Sequence, residues 1–228
     1  MRIVVTGGCG FIGSSFVHLC KNLGHEVLVI DKMTYASNED WLPMDTELIV
    51  SDICDVTEND LGEYDYLVNF AAESHVDNSI KDGKPFVKTN VEGTYNLLEL
   101  ARKNKKLKKF VQISTDEVYG DLDMLNIDAS FEQNFLYPSS YYSATKASAD
   151  MLVYSCGHTF GLPYVITRTC NNFGIRQHHE KFIPTIKKSI EEDKPIPVYG
   201  DGKQIREWIW VEDNVKQILK LMLESDIG

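Results

Sequence analysis

The sequence is poor in the features that would make it a secreted, metal-stapled or membrane protein. Its five cysteines, Cys9, Cys20, Cys54, Cys156 and Cys170, are odd in number, widely spaced and include no CxxC pair. Neither a disulfide framework nor a zinc site is suggested, no metal is expected, and a reducing compartment fits best. The opening MRIVVTGGCGFIGSS has too short an apolar run for a signal segment, and no later stretch approaches spanning length. A cytosolic protein is therefore expected. Positive charge is also short: the formal net charge of −11 opposes general binding to nucleic acid or to an anionic membrane surface. The one basic run, 103–109, sits where a helix should end, which accounts for it. Low-complexity tracts and repeats are absent. What remains is 228 residues with 43% hydrophobic content, enough for a substantial core without staples.

Short runs rich in β-branched residues, 2–6, 26–30, 47–50, 66–70, 110–114 and 164–169, alternate with helical stretches near 11–23, 85–103, 140–160, 179–192 and 211–224. Runs such as Val27 to Ile30 are apolar on both faces, as strands covered by helices above and below must be. This rhythm predicts an α/β fold with a doubly wound parallel sheet. After Asn171 the pattern changes: Pro184, Pro195 and Pro197 interrupt it and residues 198–202 read as a turn. Residues 1–170 are read as a dinucleotide-binding domain. Residues 171–228 are read as a smaller substrate lobe, interleaved with the first domain and expected to be incomplete.

Glycines at every third position, Gly7, Gly10 and Gly13, join the first strand to the first helix. Such a turn lets a pyrophosphate approach the helix N-terminus, where free N–H groups and the helix dipole favour anions. Phe11 and Ile12 lie within it. Asp31 follows at the end of the second strand, 18 residues after Gly13. A carboxylate there accepts hydrogen bonds from the adenosine ribose hydroxyls and repels a 2′-phosphate, which selects NAD over NADP; Lys32 beside it softens that exclusion. Asp52, Ile53, Ala71 and Ala72 close later strands at their carboxyl ends, where open α/β sheets bind ligands.

Tyr142 and Lys146 form a Y-x-x-x-K pair whose i, i+4 spacing puts both on one helix face. A tyrosine with a pKa of about 10 is a poor base at neutral pH, but an adjacent ammonium and a cationic nicotinamide favour phenolate. Thr115, Asp116 and Glu117 follow the strand at 110–114. Thr115 suits a reacting hydroxyl, and paired carboxyls can divide labour as acid and base.

Taken together, TGGCGFIGS (6–14), DKMTYASN (31–38), AAESHVDNSI (71–80), STDEVYG (114–120), YSATK (142–146), TRTCNNFG (167–174), EKFIP (180–184) and PVYGDGKQIREWIWVED (197–213) resemble the nucleotide-sugar 4,6-dehydratases of the extended short-chain dehydrogenase/reductase family. The resemblance implies tightly bound NAD, a dTDP-glucose or UDP-glucose substrate, and a lyase cycle of oxidation at C4, water loss across C5 and C6, and reduction at C6. It implies that Tyr142 takes the 4-hydroxyl proton, Glu117 the C5 proton, and that Asp116 protonates the departing 6-hydroxyl. It adds Lys32 and Asn38 to the cofactor contacts, and sets Ser74, His75, Asn171, Glu180, Lys181, Pro197, Tyr199 and Arg206 against the sugar nucleotide. A homodimer through the helices at 85–103 and 140–160 is likewise implied. A 4-epimerase, a UDP-glucuronate decarboxylase and a non-catalytic NAD-binding protein are the alternatives; epimerisation does not require the Asp116–Glu117 pair. Tyr141, Asn78 and the stretch 174–179 depart from the family pattern.

Overall fold

The computed structural model describes residues 1–121, 135–198 and 200–226. Six strands form one parallel sheet: β1 (Arg2–Thr6), β2 (Glu26–Asp31), β3 (Glu47–Val50), β4 (Tyr66–Asn69), β5 (Lys109–Thr115) and β6 (Tyr164–Thr169), in the order β3-β2-β1-β4-β5-β6. The order reverses between β1 and β4. In a doubly wound sheet the crevice outside the strand ends at such a switch is where a ligand binds.

Alternation along each strand feeds two cores. Ile3 and Val5 of β1 face one cluster with Phe16 and Val17 of α1 (Phe11–Asn22) and Val215, Ile218 and Met222 of the last helix. Val4 faces the other, with Leu97, Leu98 and Val153. This two-sided burial is why the strands read as unbroken apolar runs.

Between these lie α2 (Glu58–Leu61), α3 (Val76–Lys81), α4 (Lys84–Phe86) and α5 (Thr94–Lys103), then α6 (Tyr141–Phe160), α7 (Phe182–Glu191) and α8 (Val211–Glu224). The short helices α2 and α3 were not expected. The single helix expected over 85–103 instead contains a π-helical segment, Val87–Gly93. That wider turn carries Asn90 inward, where its amide donates to the Glu73 carbonyl (3.1 Å) and to Thr145 Oγ1 (3.0 Å). Side-chain partners so far apart in sequence leave no trace in a 3.6-residue pattern.

The helix α6 starts where its sequence signals say. Ser140 caps it and accepts from the Ser143 amide, while Gly161 closes it in the left-handed conformation at φ 71°. The helix expected from 179 begins three residues later, at Phe182, and Pro184 does not break it. Proline there lies in the first turn, whose N–H groups have no intrahelical partner to lose.

A two-stranded parallel pair, β7 (Asn171–Phe173) with β8 (Trp208–Trp210), was likewise not foreseen. It lies beyond β6 and leads directly into α8, which packs on α1. No helix among the described residues is long and apolar enough to cross a membrane.

Candidate active site

A cavity of about 530 Å³ runs along the carboxyl ends of the strands from the glycine turn to α6 and the 171–182 segment. Its nucleotide end is made largely of backbone. Gly7 has φ 68°, and a Cβ there would sit 2.6 Å from the Ala71 amide nitrogen. A side chain at Gly13 would run into the Gly7 carbonyl. Gly10 caps α1 in an extended conformation without any side-chain hydrogen bond. The amides of the first helical turn, at Phe11, Ile12 and Gly13, are thus left to a ligand. An uncapped helix start with no room for a Cβ fits a dinucleotide pyrophosphate.

Asp31 is 5% exposed. Its carboxylate accepts from the Cys9 and Met33 amides and from Ser37 Oγ, each at 2.9 Å. A carboxylate has about four acceptor sites, so the group is held in one orientation with an edge left for the cavity it lines. The neighbouring Lys32 is engaged elsewhere, with its ammonium 2.9 Å from Asp52. Burial pulls the Asp52 carboxyl up, but the Cys54 amide and Lys32 overcome it and bring the pKa to about 2. Ile53, Ala71 and Ala72 line the same end. Asn38 does not: its Oδ1 accepts from the Asp40 amide and caps the turn Glu39–Trp41.

The other end is made of ionisable side chains. Thr115 ends β5 and caps the 3₁₀ turn Asp116–Tyr119, its hydroxyl accepting from the Glu117 amide at 3.2 Å and lying 3.2 Å from Asp116 Oδ1. Both carboxyls are raised, Asp116 by desolvation and Glu117 by desolvation and the Asp116 charge, against the pull of Arg206 and, for Glu117, Lys181. Glu117 keeps access to solvent through the cavity while protein crowds it on its other sides. A carboxyl so placed can hold or release a proton nearer to neutral pH than a free one.

Tyr142 and Lys146 face the cavity from α6. Burial, then the Glu117 charge, pushes the Tyr142 phenol above its ordinary value, with Thr115 working against them. Phe86 meets its ring edge-on. Lys146 is 4% exposed and donates to the Ile113 carbonyl at 2.5 Å. Burial lowers its pKa to about 8, while Asp150 holds it up. The expected depression of the tyrosine by its lysine is therefore not what the protein alone displays: burial, helped by the Glu117 charge, prevails at Tyr142.

Ser74, His75, Asn171, Glu180 and Lys181 also line the cavity. His75 Nε2 lies 3.1 Å from Glu180 Oε2, and Lys181 Nζ donates to the Ser74 carbonyl at 3.4 Å, so the two segments meet across the opening. Pro197 and Arg206 are exposed and outside the lining, although the Arg206 charge bears on both carboxyls. Tyr199 lies outside the described residues. Sequence reasoning missed Glu73, Cys170, Gln177, His178 and Trp208 on the walls. Trp208 is brought there by the β7–β8 pairing, a contact between segments tens of residues apart that leaves no local signal.

The profile of the NAD dependent epimerase/dehydratase family matches residues 3–228. The chain belongs to that family. It is 47% identical to the low-salt glycan biosynthesis protein Agl12 of Haloferax volcanii, over all of this chain and 75% of that one. It is 43% identical to the dTDP-glucose 4,6-dehydratase of Haemophilus influenzae, over all of this chain and 72% of the relative. The crystal structure of DesIV, a dTDP-glucose 4,6-dehydratase from Streptomyces venezuelae with NAD and TYD bound, superimposes with a TM-score of 0.92 at 39% identity, covering this chain fully and 74% of its own. In this family member the glycine turn, the Asp116–Glu117 turn and the Tyr142/Lys146 helix face share one cavity.

Proposed function

We propose that the protein is a 4,6-dehydratase that converts dTDP-glucose, or UDP-glucose, to the 4-keto-6-deoxy nucleotide sugar. The observation that carries this reading is the pair Asp116 and Glu117, two carboxyls with raised pKa beside Thr115 and Tyr142 on one cavity wall. Removing water across C5 and C6 needs one group to take a carbon-bound proton and another to give a proton to the leaving hydroxyl. NAD, when bound, supplies the two-electron acceptor for C4, the donor for C6, and a positive charge beside Tyr142.

Tyr142 takes the 4-hydroxyl proton, Thr115 orients that hydroxyl, Glu117 removes the C5 proton made acidic by the new C4 ketone, and Asp116 protonates the departing 6-oxygen. Gly7, Gly10, Phe11, Ile12, Gly13 and Asp31 hold the dinucleotide, with Lys32, Asp52, Ile53, Ala71 and Ala72 beside it. Ser74, His75, Asn171, Glu180, Lys181 and Arg206 receive the sugar nucleotide. The division into residues 1–170 for cofactor and 171–228 for substrate belongs to the same proposal. So does a homodimer through α5 and α6, whose outer faces expose Tyr95, Met151, Tyr154 and Phe160. Free thiols at all five cysteines are in keeping with the cytoplasm, and the product class feeds deoxysugars such as rhamnose.

The test is to incubate the purified protein with dTDP-glucose and, separately, UDP-glucose and to weigh the products. Loss of one water from either establishes the reaction and its base preference. An isomer of unchanged mass identifies an epimerase and overturns the proposal.

A further inference from the structure

Asp150 is fully buried, on the same stripe of α6 as Tyr142 and Lys146 and one turn beyond the lysine. Its Oδ2 accepts from Ser114 Oγ at 3.0 Å and from Arg168 Nε at 2.9 Å. Ser114 and Arg168 are register partners on β5 and β6, so the two strands aim side by side at one carboxylate. The residue before Ser114 is Ile113, whose carbonyl receives the Lys146 ammonium; the residue after it is Thr115. Arg168 also donates from Nη1 to Tyr119 Oη at 2.9 Å, at the far end of the turn that carries Asp116 and Glu117. Asp150 thus binds the residue between the Lys146 acceptor Ile113 and Thr115, and reaches the Asp116–Tyr119 turn through Arg168, although it does not line the cavity.

A buried Arg–carboxylate pair is commonly explained as a local satisfaction of charge. Here the sum does not stop at the pair. The charge that bears on Lys146 is that of Asp150, one turn along its own helix; Asp150 in turn pairs with Arg168 from β6, while Asp116 and Glu117 from the turn after β5 bear on Tyr142. Asp150 Oδ1 is buried with no hydrogen-bond partner among the described residues, so part of the carboxylate is not spent on Arg168. Arg168 is cationic at any working pH. Without Asp150, two cations would share one buried region, and only the lysine can relieve this by losing its proton.

We propose that Asp150 is a positioning residue of the active site: it keeps Lys146 an ammonium ion and fixes the end of β5 on which Thr115 stands. The role rests on the dehydratase reading, since a charged lysine matters there to Tyr142. Burial draws Lys146 down to about 8, and Asp150 is the group that resists. As pH rises through that value the ammonium is lost, so weakening Asp150 moves the loss to lower pH.

The experiment is Asp150→Asn, read first without substrate. Lysines labelled with ¹³C at Cε are titrated by NMR in the holoenzyme, the Lys146 signal being assigned by its absence in Lys146→Arg. Its midpoint should fall by about one unit or more, and the alkaline limb of kcat should fall with it, while KM changes less than kcat. Asp150→Glu, which retains the charge, should recover most of the midpoint. Should Asp150→Asn fail to fold, Arg168→Gln removes the competing cation, leaves the Asp150 carboxylate to the lysine alone and should raise the Lys146 midpoint. An unmoved midpoint in whichever variant folds overturns the proposal. If the midpoint moves but the wild-type protein removes no water from either substrate, the dehydratase reading has failed and the positioning role has not.

Discussion

The two ends of the cavity are built from different materials. At the nucleotide end, the groups available to a ligand are main-chain amides of α1 and an aspartate held by three internal donors. At the reacting end they are side chains whose charge is set by their neighbours. The first is fixed once the chain folds. The second is adjustable, and its protonation is decided by burial and by a few charges. Binding is thus assigned to geometry and chemistry to electrostatics, and substitutions at the two ends should fail in different ways.

The sharpest separation should come from Glu117→Gln. Dehydration is expected to drop roughly 10²- to 10⁴-fold, the range of a lost general base. Cofactor content and the reduced-cofactor absorbance that forms on mixing with substrate should persist. An unchanged dehydration rate would remove Glu117 from its assigned role. Next in size is Gly13→Ala. The added methyl meets the Gly7 carbonyl, so the turn must shift, and retained NAD should fall roughly 100-fold for a disruption of about 3 kcal/mol. Quantifying NAD released from the denatured protein measures it; full retention would show that the turn has room to spare.

The smallest effect is expected at Asp52. Its folded pKa of about 2 lies below the ordinary value of 3.8, so its contribution to stability is present above pH 4 and is lost as pH falls toward 2. Asp52→Asn should therefore flatten the dependence of Tm on pH in that window alone, as calorimetry between pH 2.5 and 5 would register. A change confined to neutral pH would mean that the Lys32 pairing is not its source.

The same contrast governs what could be read from sequence. Backbone requirements leave a spacing: Gly7, Gly10 and Gly13 followed by Asp31 were legible because only glycine meets them. The six strands were legible because two-sided burial writes itself as apolar runs. Side-chain chemistry was legible as residue types, Tyr142 with Lys146 and Asp116 with Glu117, but not as charge states. The phenol is driven up by burial and then by Glu117, both brought about by the fold and not by the helix that carries the tyrosine. Asn38 illustrates another limit: a residue inside a telling motif spends its side chain on capping a turn. The π-helical segment and the β7–β8 pair were not legible, since both depend on partners tens of residues away.

That small pair has a consequence for how the molecule can diversify. Residues 174–207 leave from β7 and return to β8 at neighbouring points, and the chain then re-enters the main body through α8 on α1. The segment carrying α7, Glu180, Lys181 and Arg206 is clipped at its base by the β7–β8 pair. Lengthening a loop whose ends are already joined costs little additional entropy. New ligand preferences can therefore be tried out within 174–207 while the sheet, its cofactor turn and the helix bearing Tyr142 stay as they are.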